Sequence, residues 1–307
     1  MNKLEIWGAG MAGLIAANIL RKHNPIVYEA KSELPHNHKA LLRFRTNKVS
    51  IATGIPFKKV KIKKAIWDGK HLYTESNLML ENLYSQKVTG TVAERSISNF
   101  HGEERYIAPS DFIERLAEGI DIRFNSEIVG GVDDGTTSIS TLPMPLNMKI
   151  AGLKDENKYD CKPIYSVNFK ILSPKTDVYQ TIYDVTLNSP FYRLSISGDE
   201  GIFECMKSEM TNSEIIKNIL ENCFGLRNVE ISEPVMTEQK LGKIIPVDDT
   251  IRKNNILNLS REKQIYSLGR FATWRQIMLD DIIDDIDIIE KLIQQDNYNR
   301  TLYAYSK

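Results

Sequence analysis

Residues 3–31 contain the feature that most restricts the fold: a short strand, closely spaced glycines, a helix and a second strand. Gly8, Gly10 and Gly13 follow the apolar positions Leu4 and Ile6 with the spacing G-x-G-x-x-G. In this arrangement the first glycine allows a tight turn, the second lets the backbone approach a pyrophosphate, and the third allows close packing of helix on strand. The segment therefore predicts a dinucleotide-binding βαβ unit.

The predicted helix begins at the glycines, and the second strand ends in an acid. The helix N-terminus directs backbone N–H groups at the place where an anion would lie, so Met11 and Ala12 are predicted cofactor contacts. Glu29 follows the first glycine by about 20 residues, where a carboxylate accepts a hydrogen bond from a ribose 2′-hydroxyl, and Ala30 adjoins it. This acid disfavours NADP. The unit alone does not separate FAD from NAD.

Length and charge exclude several classes of function. The 307 residues include 40 basic and 40 acidic side chains, so no global field draws the chain to nucleic acid or to an anionic membrane. Three cysteines without a C-x-x-C pair are too few for a disulfide framework or a zinc site, and no metal site is expected. No apolar run approaches about 18 residues. We expect a cytoplasmic protein without a membrane segment.

The segment after the ribose-binding acid contains candidate charged contacts. Arg43 and Arg45 are predicted to supply a cation to the pyrophosphate, and surface pairing is an equally good interpretation. His36 and His38 have the pKa range of an acid or base, although loop histidines without catalytic duty are the simpler interpretation.

Alternating residues in Lys58–Trp67 are basic and apolar, which is typical of a half-buried strand. A solvated edge strand explains the pattern, because lysines on an edge discourage aggregation. The alternative is that Lys58–Lys64 form a docking strip for an anionic substrate, such as a nucleotide sugar or a nucleic acid.

Alternating strands from about Tyr159 to Glu204 predict an antiparallel sheet inserted into the dinucleotide domain. The fold class predicted is therefore α/β: a three-layer, Rossmann-like dinucleotide-binding domain with a parallel sheet, and an inserted antiparallel-sheet substrate domain. Residues 1–50, 106–155 and 240–300 are assigned to the first, and 51–105 and 156–239 to the second. Val129, before a predicted turn at Gly130-Gly131, is a further predicted cofactor contact.

The C-terminal segment, residues 264–289, predicts a strand, a Gly269-Arg270 turn and a long helix. Here the chain resembles the FAD-dependent superfamily that includes amine oxidases and UDP-galactopyranose mutase. The mutase motif G-R-x-x-T-Y-[RK]-Y followed by an acid is matched by a set of residues around the turn: Gly269, Arg270, Thr273, Trp274, Arg275, Gln276 and Asp280. GKIIPVDD (242–249) and SPFYRLSI (189–196) are similar to further mutase segments. Trp274 and Gln276 replace the two tyrosines, and Met278 replaces an acid.

The resemblance implies FAD as the cofactor, with Arg270 pairing the pyrophosphate. It also implies a helix that begins near Thr273 and directs its positive end at the isoalloxazine ring. The candidate substrate contacts are Tyr192, Arg193, Trp274 and Gln276. No catalytic acid or base is identified.

Three hypotheses follow. The leading one is an FAD-dependent oxidoreductase or oxidase acting on an amine, amino-acid-like or sugar-type substrate, small or polymer-linked. The second is a redox-neutral flavoenzyme of mutase or lyase type. The third is a non-catalytic FAD-binding protein that holds nucleic acid or a protein partner on Lys58–Lys64.

Overall fold

The computed structural model describes most of the chain, namely residues 3–34, 43–90, 92, 97, 103–129, 136–155, 157–206 and 212–305. Within these ranges the side chains of Arg43, Thr89 and residues 296–305 are not described. His36, His38 and the predicted Gly130-Gly131 turn lie outside the described residues.

The fold has two sheets with helices against both. The strands are β1 Leu4–Trp7, β2 Ile26–Tyr28, β3 Arg43–Phe44, β4 Lys58–Trp67, β5 Leu72–Tyr73, β6 Glu103–Ile107, β7 Asp121–Arg123, β8 Thr137–Ser140, β9 Cys161–Ser173, β10 Val178–Asp184, β11 Phe191–Gly198, β12 Glu200–Cys205, β13 Glu230–Ile231, β14 Val235–Ile244 and β15 Ile265–Ser267. The helices are α1 Met11–Ile19, α2 Lys48–Thr53, α3 Leu78–Thr89, α4 Phe112–Ala117, α5 Met144–Ile150, α6 Ser213–Phe224, α7 Asp249–Lys263 and α8 Ile282–Tyr305.

The smaller sheet is parallel, with strand order β15-β8-β1-β2-β7. Side chains alternate across a strand, and Leu4 and Ile6 therefore pack with α1, α4 and α8 while Trp7 packs with α5 and α7. Helices thus cover both faces, as a parallel sheet requires. The three-layer α/β architecture predicted from the glycine motif is confirmed.

The larger sheet is mixed and mostly antiparallel, and it contains ten strands of the described chain. Its centre is an antiparallel set of four strands in the order β9-β12-β11-β10, which confirms the predicted antiparallel insertion. The apolar stripe of α6, with Ile216 and Leu220, packs on one face against Phe203. On the other face, Tyr84 and Val88 of α3 pack against β4 and β11. Ile244 of β14 and Cys161 of β9 belong to the same apolar cluster as Trp7 of the parallel sheet.

Residues Lys58–Trp67 form a strand, as predicted, but the prediction that it lies at the edge of a sheet is wrong. β4 pairs in parallel with β10 and antiparallel with β6, so it lies inside the larger sheet. Val60 and Ile62 are buried and Lys61 is exposed, as the alternation predicted. Local sequence shows which face of a strand is exposed to solvent, whereas the strands that pair with it depend on distant segments of the chain.

The C-terminal helix also differs from the prediction. It begins at Ile282 instead of near Thr273, and it continues to Tyr305. Among the described residues, none of the helices combines the length and the apolar character needed to cross a bilayer.

Candidate cofactor and substrate site

The turn between β1 and α1 requires glycine at two of its three glycine positions. Gly8 has φ +96°, and a Cβ built on it would lie 2.6 Å from Thr141 Oγ1. A Cβ on Gly13 would lie 2.0 Å from the carbonyl oxygen of Gly8, so the helix packs directly on the turn. Gly10 differs from both, because a Cβ there would meet no atom within 4 Å. The space in front of Gly10 is therefore a cradle that a side chain would fill.

The N-terminus of α1 faces this cradle. Gly10 is the N-cap residue, no side chain caps the helix, and no acid lies in the first turn. The backbone N–H groups at a helix N-terminus carry partial positive charge and bind anions. The arrangement is chemically suited to a phosphate group.

The carboxylate of Glu29 is held beside the glycine turn. Its Oε2 accepts a hydrogen bond of 2.7 Å from Ala9 N, and its Oε1 accepts one of 3.0 Å from Lys31 N. Gly8 N donates to Tyr28 O at 2.8 Å, which fixes the turn to the end of β2. Each carboxylate oxygen has two lone pairs, so Glu29 can accept a further bond from a sugar hydroxyl.

The turn after β15 packs against the first turn of α1. Gly269 has φ +89°, and a Cβ built on it would lie 3.1 Å from Ala12 Cβ. Leu268 N donates to Ser140 O at 2.8 Å, which holds the end of β15 to β8. The structure thus brings together the two glycine turns that the sequence placed near opposite ends of the chain.

Arg270 and Thr273 organise the C-terminal turn. The guanidinium of Arg270 donates to Ile277 O, with 3.1 Å from Nη2. Thr273 donates to Gly269 O from both its backbone N (3.0 Å) and its Oγ1 (2.7 Å). Residues 270–274 therefore form a compact turn, and the predicted helix at this place is replaced by it.

Trp274 is buried behind the turn. It has φ +48° and is 4% exposed, its Nε1 donates to Ile245 O at 2.9 Å, and its ring packs edge-on against Tyr159 at 4.8 Å. This position explains how an aromatic side chain replaces a tyrosine of the resembled motif: it fills the core between the two sheets. A contact between Trp274 and substrate stays a prediction.

A cavity of about 470 Å³ lies between the C-terminal turn and the larger sheet. Its lining residues come from α3, β9, β14 and the turn: Val88, Lys162, Gly242, Lys243, Ile244, Ile245, Pro246, Arg270, Gln276 and Met278. Three of these side chains are cations, and none of the described lining residues is a carboxylate. The cavity is therefore suited to an anionic ligand.

A buried polar cluster adjoins the cavity on β11 and β12. Arg193 forms an ion pair with the buried Glu204, which also accepts a hydrogen bond from Tyr192 OH at 3.3 Å. Lys243 Nζ lies 4.6 Å from the centre of the Tyr192 ring. Burial, followed by the charge of Glu204, raises the pKa of Tyr192 far above its ordinary value, so the phenol stays protonated.

The positive charges of Arg193 on β11 and Arg270 in the C-terminal turn affect each other. Burial, and second the positive charge of Arg193, lower the pKa of Arg270. Like charges held close together destabilise each other, and an anion bound between them would relieve the repulsion. Tyr192 and Arg193 from the inserted sheet are thereby brought to the same region as Arg270 and Gln276 from the C-terminal turn.

Other predicted site residues lie elsewhere or have local partners. The guanidinium of Arg45 pairs with Asp281 at 3.0 Å, and its backbone N donates to the buried carboxylate of Asp280 at 3.0 Å. Val129 is 84% exposed, and Ala30 is also exposed beside Glu29. The side chain of Arg43 is not described. Cofactor contacts at these residues stay predictions.

The basic strip on β4 is partly neutralised. Lys58 pairs with Asp177, Lys59 with Glu104 and Lys64 with Glu103. A role of Lys58–Lys64 toward an anionic substrate or a nucleic acid stays a prediction as well.

Two lysines of the cavity were not identified from the sequence. Lys243 lies inside the GKIIPVDD segment, and Lys162 lies opposite it, since the two residues pair in register across β14 and β9. The signal for Lys243 was its place in a segment that resembled the mutases. Lys162 carried no local signal, because only strand pairing brings it to the cavity.

Comparison with known proteins relates this architecture to flavoproteins. No protein-family model and no curated protein matches the chain. Reduced UDP-galactopyranose mutase matches 96% of this chain and 94% of its own, at 14% identity and a TM-score of 0.65. An oxidoreductase from Methanosarcina mazei matches 94% of this chain and 100% of its own, at 9% identity and a TM-score of 0.60.

A geranylgeranyl bacteriochlorophyll reductase-like protein from Thermoplasma acidophilum is also similar. It matches 97% of this chain and 80% of its own, at 14% identity and a TM-score of 0.54. The chain therefore has the fold of FAD-dependent flavoproteins, which confirms the resemblance at the level of architecture.

Proposed function

We propose that this protein is an FAD-dependent oxidoreductase whose substrate is an amino-acid-like, amine or sugar-type molecule that carries a carboxylate or phosphate. The observation that supports it best is the packing of Gly269 against Ala12. This contact joins the two glycine turns at the carboxyl ends of β1 and β15, beside a cation-lined cavity. Ligands of open α/β sheets bind at the carboxyl ends of the strands.

The residues present fit FAD. The cradle at Gly10 and the N-terminus of α1 would hold the pyrophosphate, Glu29 would bind the ribose, and Arg270 would neutralise charge beside the C-terminal turn. When bound, the flavin supplies two-electron redox chemistry that no amino-acid side chain provides. The protein's own task is binding, orientation and exclusion of water.

The cavity would orient the substrate. Lys162 and Lys243 lie opposite each other across β9 and β14 and would bind the anionic group, with Gln276 as a neutral hydrogen-bonding partner. Tyr192 stays neutral and its hydroxyl donates to Glu204, so it adds no negative charge that would repel an anion. An oriented substrate reacts faster because its translational and rotational freedom is already lost.

The absorption spectrum of the purified protein tests the cofactor. The expected result is a flavin spectrum, or its appearance after FAD is added and excess removed. Anaerobic screening of amino acids, amines and sugar phosphates then tests the reaction, and bleaching of the flavin by one of them identifies the substrate class. A folded protein that stays colourless and does not bind FAD would contradict the proposal.

A redox-neutral reaction of mutase type is the second candidate. It is favoured by the likeness to reduced UDP-galactopyranose mutase along nearly the whole chain and by the cations of the cavity, which suit a diphosphate. The test is turnover of nucleotide sugars with and without prior reduction by dithionite. Activity that depends on prereduction supports the mutase type, whereas bleaching by substrate alone supports the oxidoreductase.

A further inference from the structure

A second cavity lies on the other side of the C-terminal turn, between α7 and α8. This α7–α8 cleft has a volume of about 290 Å³ and shares no lining residue with the first cavity. Its lining residues are Arg252, Lys253, Ile256, Ser260, Tyr266, Ser267, Thr273, Arg275, Asp285, Ile288, Ile289 and Leu292. Its floor is β15, which is an edge strand of the parallel sheet.

The cleft contains a buried hydroxyl without a partner. Ser267 is 7% exposed, and its Oγ finds no hydrogen-bond partner among the described residues. An unsatisfied buried polar group destabilises a fold by roughly 1–3 kcal/mol. The hydroxyl oxygen has almost no accessible surface, so it lies beneath the floor of the cleft, and the contacts open to a ligand come from the charged side chains that line it.

The polar wall of the cleft is positively charged. Arg252, Lys253 and Arg275 line it together with a single carboxylate, that of Asp285, within the described lining set. Arg275 pairs with Asp285, and its Nε donates to Thr273 Oγ1 at 3.1 Å. A guanidinium has five N–H donors, so Arg275 can bind a further oxygen while it keeps both partners. The charge favours an anion.

Arg252 is held rigidly at the same wall. It is 8% exposed, and its Nη1 donates to Thr273 O at 3.1 Å while Asp249 pairs with its other nitrogens. Asp249 also pairs with Lys253 at 2.6 Å, at the exposed rim. The buried arginine therefore offers positive charge in a fixed direction.

The rest of the lining is mostly apolar. It includes Ile256, one turn after Arg252 on α7, and Ile288, Ile289 and Leu292, which follow Asp285 on α8. Ile288 is 55% exposed and Leu292 is 40% exposed. Covering such surface is favourable by about 25 cal/mol per Å². A ligand that combined a short apolar chain with an anionic end would contact the charged and the apolar parts of the lining at once.

We propose that the α7–α8 cleft binds a small monocarboxylate with a short aliphatic chain, with the carboxylate at Arg275 and the chain over Ile288. A monocarboxylate fits better than a phosphate, because the lining cations are already partly neutralised and half of the wall is apolar. The inference does not depend on the proposed flavin chemistry, since the cleft is separate from the first cavity.

Calorimetric titration of the full-length protein with hexanoate tests the site. We expect saturable binding, with acetate at least tenfold weaker because each missing CH₂ removes about 0.8 kcal/mol of burial. Hexylamine, which has the same chain and the opposite charge, should not bind. Failure of hexanoate to saturate, or equal binding of hexylamine, would overturn the proposal.

Three variants locate the binding. Arg275→Gln and Ile288→Asp should each weaken hexanoate binding at least fivefold, the first by removing the positive charge and the second by placing a carboxylate on the exposed apolar surface. Ile251→Asp is the matched control, since Ile251 is 44% exposed on α7 and outside the cleft. If Ile288→Asp and Ile251→Asp have the same effect, hexanoate does not bind in this cleft. Circular dichroism checks that each variant is folded.

Discussion

Gly269 packs against Ala12 so closely that a Cβ on Gly269 would lie 3.1 Å from Ala12 Cβ. The two residues belong to the turn after β15 and to the first turn of α1, which are separated by most of the chain. Their contact places the Gly269-Arg270 turn beside the cradle at Gly10. The proposed cofactor site is therefore assembled from both ends of the sequence. Three predictions concern this site and the adjoining cavity, and a fourth concerns the separate turn at Asp68.

Gly10→Val should weaken FAD binding strongly without loss of the fold. Gly10 has φ −68° and ψ 176°, which any residue adopts, and its Cβ direction is open. The valine would occupy the proposed phosphate position, and FAD affinity should fall by about 100-fold, equivalent to ~2.7 kcal/mol. Equilibrium titration with FAD and thermal unfolding measure the two effects.

Gly13→Val serves as the contrasting variant. Its Cβ would lie 2.0 Å from Gly8 O, so the helix must move away from the turn, and we expect destabilisation of ~3 kcal/mol or more. If Gly10→Val unfolds the protein as Gly13→Val does, the space at Gly10 is not a ligand cradle.

Gly269→Ala should destabilise the protein and weaken FAD binding. The positive φ of Gly269 imposes about 1–2 kcal/mol on any L-residue, and contact with Ala12 adds to it. Ala12→Gly removes the contact and leaves the backbone strain, so the double variant should be more stable than the sum of the two single changes indicates. Urea unfolding of all four proteins measures the coupling. If the changes in unfolding free energy of the two single variants add up to that of the double variant, the two turns are not in energetically significant contact.

Lys243→Gln should weaken the binding of anions in the first cavity and leave FAD binding unchanged. The probe is inorganic pyrophosphate, titrated into FAD-loaded protein so that the cofactor site is already filled. We expect about tenfold weaker binding, or ~1.4 kcal/mol, for the loss of one charge-assisted contact. Lys240→Gln is the control, because Lys240 is exposed on the same strand and does not line the cavity. Equal effects of the two variants would place the anion elsewhere.

The turn at Asp68 should lose stability in acid. The backbone N–H of His71 is the largest cause that lowers the pKa of Asp68 to about 2, with Lys70 N and Tyr73 OH adding to it against opposing burial. Because the pKa in the folded state lies below the unfolded value of 3.8, the carboxylate contributes stability above pH 4, and this contribution is lost as the pH falls toward 2. Asp68→Asn should therefore destabilise the protein at pH 7 and have little effect near pH 2. Urea unfolding at both pH values checks it, and an equal loss at both would refute the charge effect.

Local sequence predicted the elements whose signals lie within a few residues. The glycine spacing and the alternation in β1 determined the first βαβ unit, since backbone sterics allow few conformations there. The alternating strands of the insertion were predicted for the same reason, because period-two patterning follows directly from strand geometry. The helix start at Thr273 was wrong, since Thr273 and its neighbours form hydrogen bonds back to Gly269 that close a turn instead.

Residues at distant positions were paired only by the tertiary structure. The amino-acid sequence by itself determined the two glycine turns, the position of Glu29 at the end of β2 and the solvent-exposed face of β4. Only the folded chain decided that Gly269 contacts Ala12, that β4 lies inside its sheet and that Lys162 faces Lys243. The physical reason is that dihedral preferences and side-chain periodicity act over a few residues, whereas strand order and the convergence of charges depend on which surfaces the whole chain can bury together.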